Sequence, residues 1–151
     1  MWIANSFVIG ATTVLLLLWF RYLCSLLLAA QTSLDCGEMV ARANSLVFAD
    51  VLRQLRFDDG HSSAQLDRFV VALERDFEIV TYLLRHMGES PLIESPAEAW
   101  MIKVDYHIQA MLFKLFRPFS VSAAAARVNQ MAMIICHFAD LIGERRIPVR
   151  I

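Results

Sequence analysis

Lysine occurs only twice in this chain, at Lys103 and Lys114, and glycine only five times. No two glycines stand in a Gly-x-Gly arrangement, so there is no backbone cradle for a nucleotide phosphate. The three cysteines, Cys24, Cys36 and Cys136, form no Cys-x-x-Cys pair. An odd and widely spaced set excludes a disulfide framework, a redox dithiol and a haem-attachment motif, and fits a reducing compartment. Gly-x-Ser-x-Gly is missing, which removes the common hydrolase nucleophile motif. Four histidines are present, but no Glu-x-x-His, the repeat a di-metal helix bundle needs. Fourteen basic and fifteen acidic side chains leave a formal net charge of −1, so the electrostatic footprint of a nucleic-acid binder is missing too. No site for a cofactor, a metal or a small-molecule substrate is visible.

Apolar side chains are abundant, at 58% of residues against roughly 45–50% in a soluble domain. Much of the excess lies in the first thirty residues. Between Phe7 and Ala30 the one charged residue is Arg21, and about 20 apolar residues suffice to cross a bilayer as a helix. A secretion signal would place basic residues ahead of a shorter apolar run and end in small residues. Here the run is long, carries an arginine and ends in Leu28-Ala29-Ala30. A retained transmembrane helix is therefore expected. Tryptophan and tyrosine favour the headgroup level, so Trp2 marks one edge and Trp19, Arg21 and Tyr22 mark the other. The hydrocarbon core then falls on Ile3 to Phe20, with Arg21 at the interface or snorkelling to it. That leaves "LCSLLLAA", residues 23–30, at or beyond the headgroups, where Leu23, Leu26, Leu27 and Leu28 are the expected contact with a partner membrane subunit; the alternative is a longer, tilted span that buries them with Arg21 snorkelling inside it. No lysine or arginine precedes the run, whereas Arg21 and Arg42 follow it. The basic side faces the cytoplasm, so the expected topology is single-pass in a bacterial-type inner membrane, amino terminus outside.

The remainder reads as four helices, because apolar residues recur at three- and four-residue steps. The first, from about Leu34 to Phe57, carries Cys36, Val40, Ala43, Val47, Val51 and Leu55. The second starts after Ser62 or Ser63 and carries Leu66, Phe69, Val70, Leu73, Phe77, Val80, Leu84 and Met87. The third opens on Ser95-Pro96-Ala97-Glu98, a capping serine, a first-turn proline and a glutamate three residues on. Its expected buried stripe is Trp100, Met101, Val104, Ile108, Met111, Leu112 and Leu115, flanked by a weak basic strip of Lys103, His107 and Lys114. The fourth starts near Ser120 or Ser122 and runs to about Ile142, with Gly143 as its stop. Its apolar face is broad (Ala124, Val128, Met131, Ile134, Ile135, Phe138, Leu141, Ile142), as in a helix central to a bundle or covered by a partner. Asn129, His137 and Asp140 mark a narrow polar face that reads as solvated. Asp76 stands near the apolar stripe of the second helix, and an arginine, Arg53 or Arg127, is its expected partner.

The expected fold is all-α: one amino-terminal transmembrane helix (1–30), a cytoplasmic up-down-like four-helix bundle (31–143) and a basic tail (144–151). The expected role is non-catalytic. It is an accessory or scaffolding subunit of a larger membrane complex, energy-transducing (photosynthetic or respiratory) or secretory, whose partners are integral membrane subunits and the lipid bilayer. The alternative is a membrane-tethered regulatory or adaptor module for a soluble partner. An enzyme built on His107, His137 or Asp140 is the third reading.

Overall fold

A computed structural model describes residues 2–31, 40–57, 60–86 and 96–146. Among them every regular element is helical: α1 Trp2–Gln31, α2 Phe48–Phe57, α3 Ser63–His86, α4 Pro96–Phe116 and α5 Val121–Arg146, with a further helical stretch over 40–44. The chain divides into two compact units, Met1–Gln31 and Thr32–Ile151.

The first unit is α1 alone. It runs unbroken through Arg21, so residues 23–30 continue the helix. Its stretch long and apolar enough to cross a membrane is Ser6–Leu26, with a mean hydropathy of 1.8. Those 21 residues span about 31 Å at 1.5 Å each, close to the hydrocarbon thickness of a bilayer. The stretch lies further along the chain than Ile3–Phe20 and takes in Arg21.

The second unit is organised around α5, against which α2, α3 and α4 all pack. The sequence of α5 explains this. Val128, Met131, Ala132, Ile134, Ile135, Phe138, Ala139 and Ile142 are fully buried along one broad side, and Cys136, His137 and Asp140 are buried on the other, which only a surrounded helix can accommodate. α3 contributes Leu66, Val70, Leu73, Phe77 and Val80, the expected stripe at helical spacing. Helix starts follow their caps. The Ser62 hydroxyl accepts from the Gln65 amide at 3.2 Å, and the Ser120 hydroxyl accepts from the Ala123 amide at 3.2 Å. Pro96 occupies the first position of α4; Ser95, Gly88, Asp58 and Asp59 lie outside the described residues. α3 and α4 run antiparallel: Arg117, just past α4, pairs with Asp67 and donates to the Ser63 hydroxyl at 3.3 Å, both near the start of α3.

Three expectations are corrected here. The helix expected over 34–57 is interrupted at Ser45, whose φ of 54° is left-handed. The Leu46 amide reaches back to the Ala41 carbonyl at 2.9 Å. That six-to-one bond, with Leu46 and Ala41 both buried, is a Schellman stop. A serine in this conformation costs about 1 kcal/mol, and the buried contact that follows offsets it. At the other end of the unit, α5 passes through Gly143 and reaches Arg146, because Gly143 is buried in the packing.

The largest correction concerns α4. Its buried residues are Ile102, Asp105, Tyr106, Gln109 and Phe113, which is the side opposite the expected stripe. Trp100, Met111 and Leu115 are exposed, and Met101, Val104, Ile108 and Leu112 are only half-buried. Both sides of α4 are rich in apolar residues, so periodicity permits either face. The inner one is selected because its polar members find partners, as described next.

Candidate functional site

The residues expected to anchor and dock the chain all lie on α1. At 100° per residue, Trp19, Tyr22 and Leu26 share one side of the helix, and Arg21 stands about 100° or more from each. Trp19 is 64% and Tyr22 60% exposed, and Leu26 is exposed as well. Arg21 and Leu23 are half-exposed. Trp2 opens the helix, and Leu27 and Leu28 belong to the same continuous stretch. The side chains of Trp2 and Leu27 lie outside the described residues. Hydroxyls along α1 are turned onto its own carbonyls: Thr12 donates to Val8 and Ile9, each at 2.9 Å, Thr13 to Ile9 at 2.8 Å, and Ser25 to Tyr22 at 2.9 Å. A polar group satisfied within its own helix can face hydrocarbon without an unmet hydrogen bond.

Three polar positions are built into the core of the second unit. Asp76 on α3 is almost wholly buried. Its Oδ2 accepts from the backbone amides of Val47 at 2.6 Å and Phe48 at 2.8 Å. These are free amides at the start of α2, so Asp76 caps a helix from 28 residues away and favourably meets the positive end of its dipole. The expected arginine partner is replaced by backbone: Arg127 is engaged elsewhere, and Arg53 lies at a cleft on α2. Burial pushes the Asp76 carboxyl above its ordinary range, while the Phe48 and Val47 amides and the neighbouring Arg75 pull against that rise.

The second position lies between α4 and α5. The Gln109 amide donates to Asp105 Oδ1 at 3.0 Å, and Arg127 Nη1 donates to Gln109 Oε1 at 3.2 Å. Gln109 thus gives and accepts within one buried relay, which makes burial of Asp105 and Gln109 tolerable. Beside it the rings of Tyr106 and Phe77 stack parallel with centroids 3.8 Å apart. The Tyr106 hydroxyl is buried with no hydrogen-bond partner among the described residues, and desolvation drives its pKa well above the ordinary phenol value.

The third is on α5. His137 and Asp140 were expected on a solvated face; both are buried, because α5 is the helix on which the others converge. Desolvation lowers the His137 pKa below its usual value. The sign of the consequence is fixed. An unfolded histidine takes up a proton near pH 6.5 and the folded one resists, so the unfolded state binds more protons in that window. Stability is complete above about pH 6.5 and declines as the pH falls towards the depressed folded value. Replacing His137 with glutamine, which cannot titrate, is expected to flatten this decline. Urea midpoints of the full chain in non-ionic detergent at about pH 7.5 and about pH 5.5 would check it, and an unchanged pH slope in the variant would refute the assignment.

His107 is exposed on α4, with its ring edge-on to Phe77 and Tyr106, while His137 and Asp140 are inside. Among the described residues no group of three or more His, Cys, Asp or Glu side chains is placed to hold a metal ion. A cleft of about 140 Å³ opens between α2 and α5, lined by Phe48, Leu52, Phe57 and Cys136 with Arg53 and Arg56. Sequence reasoning missed this cleft, because its lining comes from two helices whose pairing no motif announces. It also missed the Asp105–Gln109–Arg127 relay. The only available signal was that Asp105 and Gln109 share a side with Ile102, Tyr106 and Phe113. No family model, curated protein or solved structure matches the chain.

Proposed function

We propose that the chain is a non-catalytic accessory or scaffolding subunit of a larger membrane protein complex, energy-transducing or secretory. It would be held single-pass in a bacterial-type inner membrane, with an up-down four-helix domain on the cytoplasmic face. The observation that carries the proposal is α1: an unbroken apolar helix with large side chains such as Phe7, Leu15 and Leu18 exposed along its length and its hydroxyls internally bonded. Such a surface suits lipid or other transmembrane helices. Arg21 near the carboxyl end of the span and Arg42 after it, with no lysine or arginine ahead of it, support the orientation. Leu23, Leu26 and Leu27 supply the proposed contact with integral partners, Leu28 being already buried.

The test is purification of the tagged full chain in mild detergent followed by mass spectrometry. Integral membrane proteins retained in fixed stoichiometry support the proposal, and a solitary monomer overturns it. A second reading, a membrane-tethered adaptor for a soluble partner, is favoured by the cleft at α2. Its apolar lining beside Arg53 and Arg56 suits an acidic, apolar peptide. In the same experiment that reading gives a monomer in detergent and a soluble protein captured only transiently.

A further inference from the structure

Resting on the reading of α1 as a membrane anchor, we propose that the outer face of α4 is a second, reversible contact with an anionic lipid surface. Trp100, Val104, Ile108, Met111 and Leu115 fall within an arc of about 80° at 100° per residue. They run about 22 Å along the helix at 1.5 Å per residue. Trp100 is 63%, Met111 72% and Leu115 58% exposed, with Val104 and Ile108 half-buried among them, and Phe119 past the helix end is 80% exposed. So large an apolar stripe marks an interaction surface.

The charges beside it identify the occupant. Lys103, His107 and Lys114 stand together along one flank of this stripe, within about 60° of Trp100 on the helical wheel. They include both lysines in the chain, which otherwise uses arginine. Of the two acidic residues on α4, Asp105 is buried and accepts from Gln109, and Glu98 lies about 160° from Trp100. The outer face is therefore apolar with a cationic shoulder. Protein interfaces deplete lysine and favour arginine. An interfacial helix, by contrast, sinks Trp, Leu and Phe to the level of the acyl chains and lets lysines reach anionic headgroups. The covalent link to α1 supplies the second of the two signals that stable attachment requires.

The test uses the full chain reconstituted into vesicles, with photoreactive benzoylphenylalanine substituted in turn at Met111, Leu115, Leu16 on α1 and Val71 on the exposed side of α3. Vesicles of phosphatidylcholine with phosphatidylglycerol as a minor component are compared with pure phosphatidylcholine. Lipid adducts are expected at positions 111 and 115 on the anionic vesicles and several-fold fewer on the neutral ones. Lys103→Glu with Lys114→Glu is expected to reduce them about tenfold or more. Adducts at Leu16 with none at positions 111 and 115 above the Val71 level overturn this proposal and leave the anchor standing. A loss of adducts at Leu16 as well overturns both. Adducts at position 111 to a second copy, or in native membranes to another protein, assign the ridge to protein docking and overturn the lipid assignment.

Discussion

Replacing Asp76 with alanine is expected to destabilise the second unit by about 3 kcal/mol. The substitution removes a side-chain cap and leaves the Val47 and Phe48 amides, the latter in a buried contact, without an acceptor. At this size the loss corresponds to a fall of roughly 10 °C in melting temperature. Asp76→Asn separates the hydrogen bonds from the charge. Burial already raises the Asp76 carboxyl above its usual pKa, so the carboxylate is held there against a desolvation cost. A neutral amide oxygen can accept from the same two donors. The asparagine variant is therefore expected to stay within about 1 kcal/mol of the parent. Thermal unfolding of the three proteins in detergent, followed by near-ultraviolet circular dichroism, measures both differences. A parent-like alanine variant would show that α2 is held without this cap.

The second large effect concerns α1. Leu15→Asp combined with Leu16→Asp places two carboxylates in the middle of Ser6–Leu26, where each costs roughly 3 kcal/mol to insert. The parent chain is expected to stay with membranes through alkaline carbonate extraction, and the double variant to be released. Circular dichroism should show the helices of the second unit retained in the released protein. If α1 were instead the core of a globule, the same change would unfold or aggregate the whole protein. Resistance of the double variant to extraction would count against a spanning α1.

How much of this was legible in the sequence depends on where the partners lie. The all-helical fold, the apolar helix at the amino terminus and the central character of the last helix can be read directly, since each is written in local periodicity. Ser62, Ser120 and Pro96 announce helix starts within three or four residues of themselves, and the structure honours them. The break at Ser45 gave no such notice, because left-handed backbone is normally signalled by glycine or asparagine. Asp76 could not be matched to its acceptor role from sequence, since its donors are main-chain groups of another helix and leave no mark on residue identity. α4 failed for a subtler reason. Its inner side holds Asp105 and Gln109, which look solvent-facing until Arg127 arrives from α5 to complete the relay. With those two discounted, the wrong face appears the more apolar. His137 and Asp140 follow the same rule: polarity predicts exposure only where a helix has a free side, and α5 leaves them none.

The placement of α5 also sets an order of events during synthesis. α2, α3 and α4 leave the ribosome before the segment that each of them packs against, and chains are made from the amino end. Until residues 121–146 emerge, the inward sides of three helices have no common mate, so the second unit closes its interior last. If α1 spans a membrane as proposed, the nascent protein is tethered before it closes, and a ribosome stalled before codon 121 would display an incomplete, chaperone-attracting surface.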